Sequence, residues 1–198
     1  MRKLILACIA LFTVVLAEAQ IEKGDIQLGG SVQYVSTENG GIDQSTLIIS
    51  PQAGLFVSPT TSIGLILAFN SQTFPGLNQN NGQLVDLTSN LFQFGAYARF
   101  HKPVADNFYL FLQPSVRFGS GSTEQINNPD VDVNTFGINA SPGMTYFLSP
   151  KFALEMTVGN IGYGSQTADI NGTEQKTNNF VFNMNLAQVG LGLNFFIK

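Results

Sequence analysis

A strict alternation of apolar and polar residues is the feature that most constrains the fold of this chain, and it recurs in eight segments. In residues 92–101, Phe, Phe, Ala, Ala and Phe hold the even positions, while Gln, Gly, Tyr, Arg and His hold the odd positions. Successive side chains of a β-strand point to opposite faces, so a period of two predicts strands with two chemically different faces. The eight predicted strands cover residues 26–34, 47–57, 63–69, 92–101, 108–118, 136–146, 152–158 and 180–197.

The charged residues of these strands fall on one face. Arg99, Arg117 and Glu155 lie in the polar phase, and the apolar phase contains no charged residue. The polar face of a soluble sandwich meets water and would be rich in Lys and Glu, whereas here it consists mainly of Gly, Ser, Asn and Gln. An Arg or Lys on the lipid side of a membrane barrel costs about 2–4 kcal/mol at mid-membrane, so this sorting favours a transmembrane barrel with a polar lumen.

The gaps between the predicted strands alternate in length, and the long gaps are rich in Asn, Gly, Asp, Gln and Thr. Outer-membrane barrels have an even number of strands, short periplasmic turns and longer outer loops. The sequence therefore predicts an all-β fold: a closed antiparallel up-and-down transmembrane β-barrel of about eight strands, with both termini in the periplasm. The short gaps are residues 58–60, 102–107 and 149–150, and the long gaps are residues 36–45, 71–90, 120–134 and 160–179.

The N-terminus has the pattern of a cleaved signal peptide. A basic start at residues 1–3 precedes an uncharged apolar run at residues 4–16, and Ala17 and Ala19 then form an A-x-A site with cleavage before Gln20. A retained membrane anchor is the alternative, but a spanning helix needs roughly 20 apolar residues. Lipoprotein processing at Cys8 is a further alternative, although Cys8 lies in the middle of the apolar run. The chain is therefore divided into a signal peptide, residues 1–19, and a barrel domain, residues 20–198.

The composition of the predicted mature domain excludes several classes of function. Cleavage removes Cys8, the only cysteine, so neither a disulfide nor a cysteine-ligated metal is expected. It also removes Arg2, Lys3 and Glu18, which leaves 7 basic and 12 acidic residues and a net charge of −5. This acidity argues against a nucleic-acid partner. Charged residues are 11% of the chain, against about 25% in soluble domains, and no cofactor motif is present.

Three prolines within the predicted strands indicate irregular positions. Pro51, Pro114 and Pro142 each remove a donor from the hydrogen-bond ladder, so we expect local bulges there, or alternatively an open sandwich with these strands at its edges. A change of phase near Ala187-Gln188 predicts another bulge. Residues 50–59 also align without gaps on residues 141–150, which suggests a duplicated half-barrel.

The last predicted strand resembles the C-terminal insertion signal of outer-membrane proteins, a polar-x-Gly-x-x-hydrophobic-x-hydrophobic pattern. Gln188, Gly190, Leu193 and Phe195 match it in register, and the chain departs from it by continuing through residues 196–198. With this signal and the strand pattern, the mature chain resembles the small outer-membrane β-barrel proteins common in Bacteroidetes-type bacteria, similar in plan to OmpA, OmpX and OmpW. The resemblance implies residence in outer-membrane lipid and insertion by the barrel-assembly machinery.

Few residues suggest a chemical site. Arg99, Arg117 and Glu155 are expected to form one cluster in the lumen, either a salt-bridged plug or a gate to a narrow pore. His101 is the only histidine and is interpreted as a solvated turn residue, since no second His or Cys could join it in a metal or catalytic site. The acidic stretch at residues 130–134 lacks the Gly and Glu of a calcium loop and is interpreted as a solvated loop.

These observations predict a non-enzymatic integral outer-membrane protein with a structural, surface-binding or narrow-channel role. Its outer loops would carry any specificity, since binding residues concentrate on loops held by a rigid scaffold, and the extracellular ligand stays open. Two alternatives remain. The resemblance to OmpW allows a passage for small apolar solutes, and some eight-stranded barrels are lipid-modifying enzymes.

Overall fold

The computed structural model describes residues 21–39, 42–78, 80, 82–170, 172–183 and 190–198. The predicted signal peptide, its junction at Gln20, position Gln188 of the insertion signal and the predicted bulge at Ala187-Gln188 lie outside these residues. Within the described ranges, no helix has the length and apolar character needed to cross a bilayer.

The described residues form β-strands almost throughout, as the alternation predicts. The strands are β1 (Ile26–Asn39), β2 (Ile42–Ser58), β3 (Thr61–Asn78), β4 (Gln83–Ala105), β5 (Phe108–Thr123), β6 (Val131–Ser149), β7 (Phe152–Thr157), β8 (Asn160–Ile170), β9 (Thr173–Asn183) and β10 (Gly190–Ile197).

The strands form a closed ring with eight strand positions. Strands β1 to β6 pair in sequence order, and all pairings in the described residues are antiparallel. Strand β6 pairs with both β7 and β8, while β10 pairs with β7 and β9 pairs with β8. Thus β7 and β8 share the seventh position, and β9 and β10 share the eighth. The ladder between β1 and β10, from Ile26↔Ile197 to Val32↔Leu191, closes the ring, so the predicted barrel is confirmed.

The two faces of the strands also lie as predicted. On β4, Phe92, Phe94 and Phe100 are exposed on the outside of the ring, whereas Tyr97 and Arg99 are buried inside it. The same alternation holds along the other strands that cross the ring. The outer wall is therefore apolar and suited to lipid, and the lumen contains the polar phase.

The long gaps are mostly strand, and their interpretation as loops was wrong. Within residues 71–90, for example, β3 continues to Asn78 and β4 begins at Gln83. The composition indicated loops because Asn, Gly and Asp favour turns. The two strands of each hairpin nevertheless satisfy one another's backbone N–H and C=O groups, so the ladders continue beyond the apolar wall. We call this end of the barrel the hairpin end, and the opposite end, with turns at residues 59–60, 106–107 and 150–151, the short-turn end.

The prolines lie inside the closed ring and disturb it less than predicted. At Pro51 and Pro114 one neighbouring ladder is interrupted, but the pairs on both sides keep the same register, so no bulge forms there. Opposite Pro142 the register with the seventh strand position changes by one residue, and a bulge forms at Val158-Gly159. Gly159 has a φ of 148°, a conformation that residues with a side chain rarely adopt. The predicted bulges are thus confirmed at one proline of three.

The two copies of the internal repeat have the same local geometry. The register shifts between Phe56 and Ser58 in the first hairpin, and between Phe147 and Ser149 at the equivalent positions of the second. Both phenylalanines are buried inside the barrel at its short-turn end. Duplication of a half-barrel remains a prediction.

Candidate functional site

An apolar plug fills the lumen at the short-turn end. We define it as the buried cluster of Ile21, Phe56, Tyr109, Phe147, Ala153 and Phe196. The ring centroids of Phe147 and Phe196 lie 4.8 Å apart, those of Tyr109 and Phe147 5.5 Å apart, and those of Phe56 and Phe196 6.1 Å apart. The rings thus contact one another across the lumen and close it at this end.

The first described residues of the chain complete the plug. A turn at Gly24, with a φ of 101°, brings Ile21 beneath the barrel. The Gly24 N–H donates a hydrogen bond to the Phe56 carbonyl at 2.8 Å, and the Phe56 N–H donates to the Asp25 carbonyl at 2.9 Å. The segment before β1 is therefore hydrogen-bonded to the end of β2.

His101 lies against this plug and is not the solvated turn residue that the sequence suggested. It is only 5% exposed, and its ring centroid lies 5.1 Å from that of Phe56 and 6.2 Å from that of Phe111. Neither ring nitrogen has a hydrogen-bond partner in the part of the chain that the structure describes. Because β4 continues to Ala105, residue 101 still belongs to the strand and keeps its lumen phase. The alternation already indicated this position, since residue 101 is in the polar, lumen-facing phase of residues 92–101.

A layer of polar side chains lies above the plug, and we call it the ion-pair layer. Arg99 and Glu155, 2% and 7% exposed, form a salt bridge between Arg99 Nη1 and Glu155 Oε1. Arg99 Nε also donates to Gln113 Oε1 at 2.7 Å. Glu155 Oε1 accepts further hydrogen bonds from Gln27 Nε2 at 3.0 Å and from Thr145 Oγ1 at 3.3 Å. This network neutralises both charges and links five strands across the lumen.

Two aromatic rings make cation–π contacts with the Arg99 guanidinium. Its Cζ atom lies 4.2 Å from the ring centroid of Phe111 and 5.7 Å from that of Tyr97. Two glycines make room for Tyr97, since a Cβ atom at Gly64 would lie 2.7 Å from its ring carbons and one at Gly54 would meet its hydroxyl oxygen. The Gly-rich polar phase therefore provides space for large side chains that cross the lumen.

A cavity of about 420 Å³ lies above the ion-pair layer, towards the hairpin end. Arg117 lines it, but the described residues contain no contact that joins Arg117 to the salt bridge of Arg99 and Glu155. The structure thus brings two of the three predicted cluster residues together and leaves the third apart. Arg117 lies four residues beyond Gln113 on β5, which corresponds to about 13 Å along a strand.

The acidic stretch at residues 130–134 belongs mainly to a strand, not to a loop. Asp132 is exposed on β6, and Val131 and Val133 on either side of it are buried in the lumen phase. Asp132 pairs directly with Asp169 on β8, which pairs in turn with Glu174 on β9. The described residues contain no group of three His, Cys, Asp or Glu side chains arranged to hold a metal ion.

The described part of the predicted insertion signal lies on β10. Leu193 is exposed on the outer wall, and the Phe195 ring packs against Phe152 at a tilt of 55°, with 5.0 Å between centroids. Gly190 begins the strand, and the role of these residues in insertion remains a prediction. Phe196, which follows the signal, points inward and belongs to the plug.

Comparison with known proteins gives one family match and several similar solved structures. The sequence matches the family described as outer membrane protein beta-barrel domain over residues 4–195. No curated protein matches it significantly. Similar solved structures include the N-terminal β-barrel domain of Pseudomonas aeruginosa OprF (10% identity, TM-score 0.47, 88% of this chain and 98% of that chain). They also include Neisserial surface protein A (11%, 0.48, 88% and 97%) and the attachment invasion locus protein Ail of Yersinia pestis (12%, 0.41, 88% and 99%).

Proposed function

Because the chain belongs to the family of outer membrane protein β-barrel domains, we propose that it is a non-enzymatic, surface-binding protein of the outer membrane, not an open channel. The closed lumen carries this proposal. The plug and the ion-pair layer together fill the short-turn half of the barrel with buried side chains. An aqueous path through a barrel of this size would require both layers to separate. The non-enzymatic part of the proposal is supported by the position of His101, the only histidine, which is enclosed by Phe56 and Phe111.

The hairpin end offers the surface on which binding can take place. Strands β3 and β4 extend well beyond the apolar wall, and their tip exposes the directly paired Leu77 and Leu84, which are 59% and 55% exposed. Exposed apolar side chains on a protruding hairpin are suited to contact with a partner. The polar lumen, in contrast, gives no support to a passage for apolar solutes.

Conductance distinguishes a closed barrel from a channel. We expect the refolded full-length mature protein to insert into planar lipid bilayers without producing unit conductance steps, because the plug occludes the lumen. A variant with Phe56, Phe196 and Arg99 replaced by alanine should conduct, since it removes two of the plug's rings and the side chain that spans the ion-pair layer. Steady conductance steps in the unmodified protein at low voltage would contradict the proposal.

The proposal requires the hairpin end to face the outside of the cell, with the short turns in the periplasm as in other outer-membrane barrels. The mature chain contains no cysteine, so single cysteines at Thr173 and Lys151 can serve as reporters. Both positions are exposed, at opposite ends of the barrel. A membrane-impermeant maleimide should label Thr173→Cys in intact cells and Lys151→Cys only after the outer membrane is opened. The reverse pattern would invert the orientation and leave the exposed tip without access to an extracellular partner.

A further inference from the structure

The cavity above the ion-pair layer has the characteristics of a small-molecule site. Its volume of about 420 Å³ lies within the range of about 300–1,000 Å³ that is usual for such sites. Its floor includes Arg99, Gln113 and Glu155, so it ends where the closed half of the lumen begins. A molecule in it would be held by the barrel wall and would have no route past the plug.

The charge within the lumen is not balanced. The salt bridge with Glu155 compensates Arg99, whereas Arg117 has no carboxylate partner in the described lumen. Among the described residues the Nε atom of Arg117 is buried without a hydrogen-bond partner, and the side chain lines both this cavity and a neighbouring one of about 200 Å³. A buried guanidinium donor without an acceptor is costly, and a carboxylate is the group that a guanidinium binds best.

The rest of the lining has the groups that recognise a sugar. Amides and hydroxyls surround most of the cavity, and they can both donate and accept hydrogen bonds. Ile48, Ile66 and Phe111 add an apolar wall, which suits the C–H face of a pyranose ring. The polar lining residues include Gln33, Ser50, Gln52, Gln113, Asn139 and Ser141.

We propose that this cavity binds one small, hydroxyl-rich monoanion of the sugar-acid class, with its carboxylate on Arg117 and its hydroxyl groups on the amides and hydroxyls of the wall. We take a single ring as the occupant, which a volume of about 420 Å³ accommodates. This inference concerns the lumen and stands apart from the binding surface proposed for the β3–β4 tip. The hairpins above the cavity are acidic, so an anion should enter faster as added salt screens them.

Calorimetric titration of the refolded mature protein in detergent tests the proposal, with D-glucuronate, D-glucose and acetate as probes. We expect saturable binding of glucuronate, with a Kd at least about tenfold lower than that of glucose, since a hydrogen bond to a charged group is stronger than a neutral one. Acetate should bind at least about tenfold more weakly than glucuronate because it lacks the hydroxyl groups. Absence of saturable glucuronate binding, or equal binding of either control molecule, would overturn the proposal.

Three variants connect the binding to the cavity. Arg117→Gln should raise the Kd for glucuronate about tenfold or more and leave weak glucose binding unchanged. Ser50→Leu, which fills part of the cavity without altering its charge, should weaken glucuronate and glucose alike. Lys176→Gln removes the same charge from the exposed surface of β9 and should leave both affinities unchanged. Heat-dependent mobility in detergent gels reports whether each variant folds, and unchanged glucuronate affinity in folded Arg117→Gln would contradict the assignment.

Discussion

Replacing Glu155 with alanine should lower the free energy of unfolding by about 3–5 kcal/mol, because the Arg99 guanidinium would remain buried without a counter-charge. The loss extends beyond the ion pair. Gln27 and Thr145 also donate to Glu155, so the substitution removes one acceptor from polar groups on three strands in addition to β7. Denaturant titration of the refolded protein in lipid vesicles would measure the effect.

Two further variants separate the charge from the packing. Glu155→Gln keeps a side-chain oxygen near Arg99 and removes the charge, so its loss should be smaller than that of Glu155→Ala. The double variant Arg99→Met with Glu155→Leu removes both charges and should be far less destabilised than Glu155→Ala, since well-packed apolar pairs often replace buried ion pairs without loss. An effect of Glu155→Ala no larger than that of Glu174→Ala, on the exposed hairpin, would show that the ion-pair layer is not structural.

Replacing Phe56 with alanine should cost about 3–5 kcal/mol, as is usual when a large aromatic side chain is removed from a packed core. Phe56 is almost completely buried and contacts the rings of both His101 and Phe196, so a cavity would open at the centre of the plug. The same denaturant titration measures the change. Phe182→Ala is the matched control, because Phe182 is 68% exposed on the outer wall, where lipid can fill the space. Equal losses in the two variants would mean that the plug adds no stability of its own.

The faces of the strands could be predicted from the sequence because the period of two is a local property. Each side chain's face follows from its own position in the strand, so Arg99, Arg117 and Glu155 were placed in the polar phase without knowledge of their neighbours. Their mutual distances depend on how the strands are staggered around the ring, which no single strand encodes. This explains why Arg99 and Glu155 meet, while Arg117 lies farther along β5.

The plug could have been predicted from the aromatic residues in the polar phase of the strands. Phe56, Tyr109 and Phe147 occupy the polar phase close to the predicted short turns, where an apolar ring in the lumen has to find partners. The prediction of loops at the hairpin end was wrong for the opposite reason. Their Asn- and Gly-rich composition favours turns locally, and only pairing with the adjacent strand keeps them extended.

The plug also ties closure of the barrel to completion of the chain. Ile21 precedes the first strand and Phe196 lies in the last one, yet both belong to the same cluster, beside the ladder that joins β1 to β10. A barrel halted before β10 would lack both the closing ladder and part of the plug. Contacts between the two ends of a chain are the slowest to form. We therefore expect an incomplete barrel to let small solutes pass through its lumen. The end of this permeability would mark the last step of assembly, in which β10 pairs with β1.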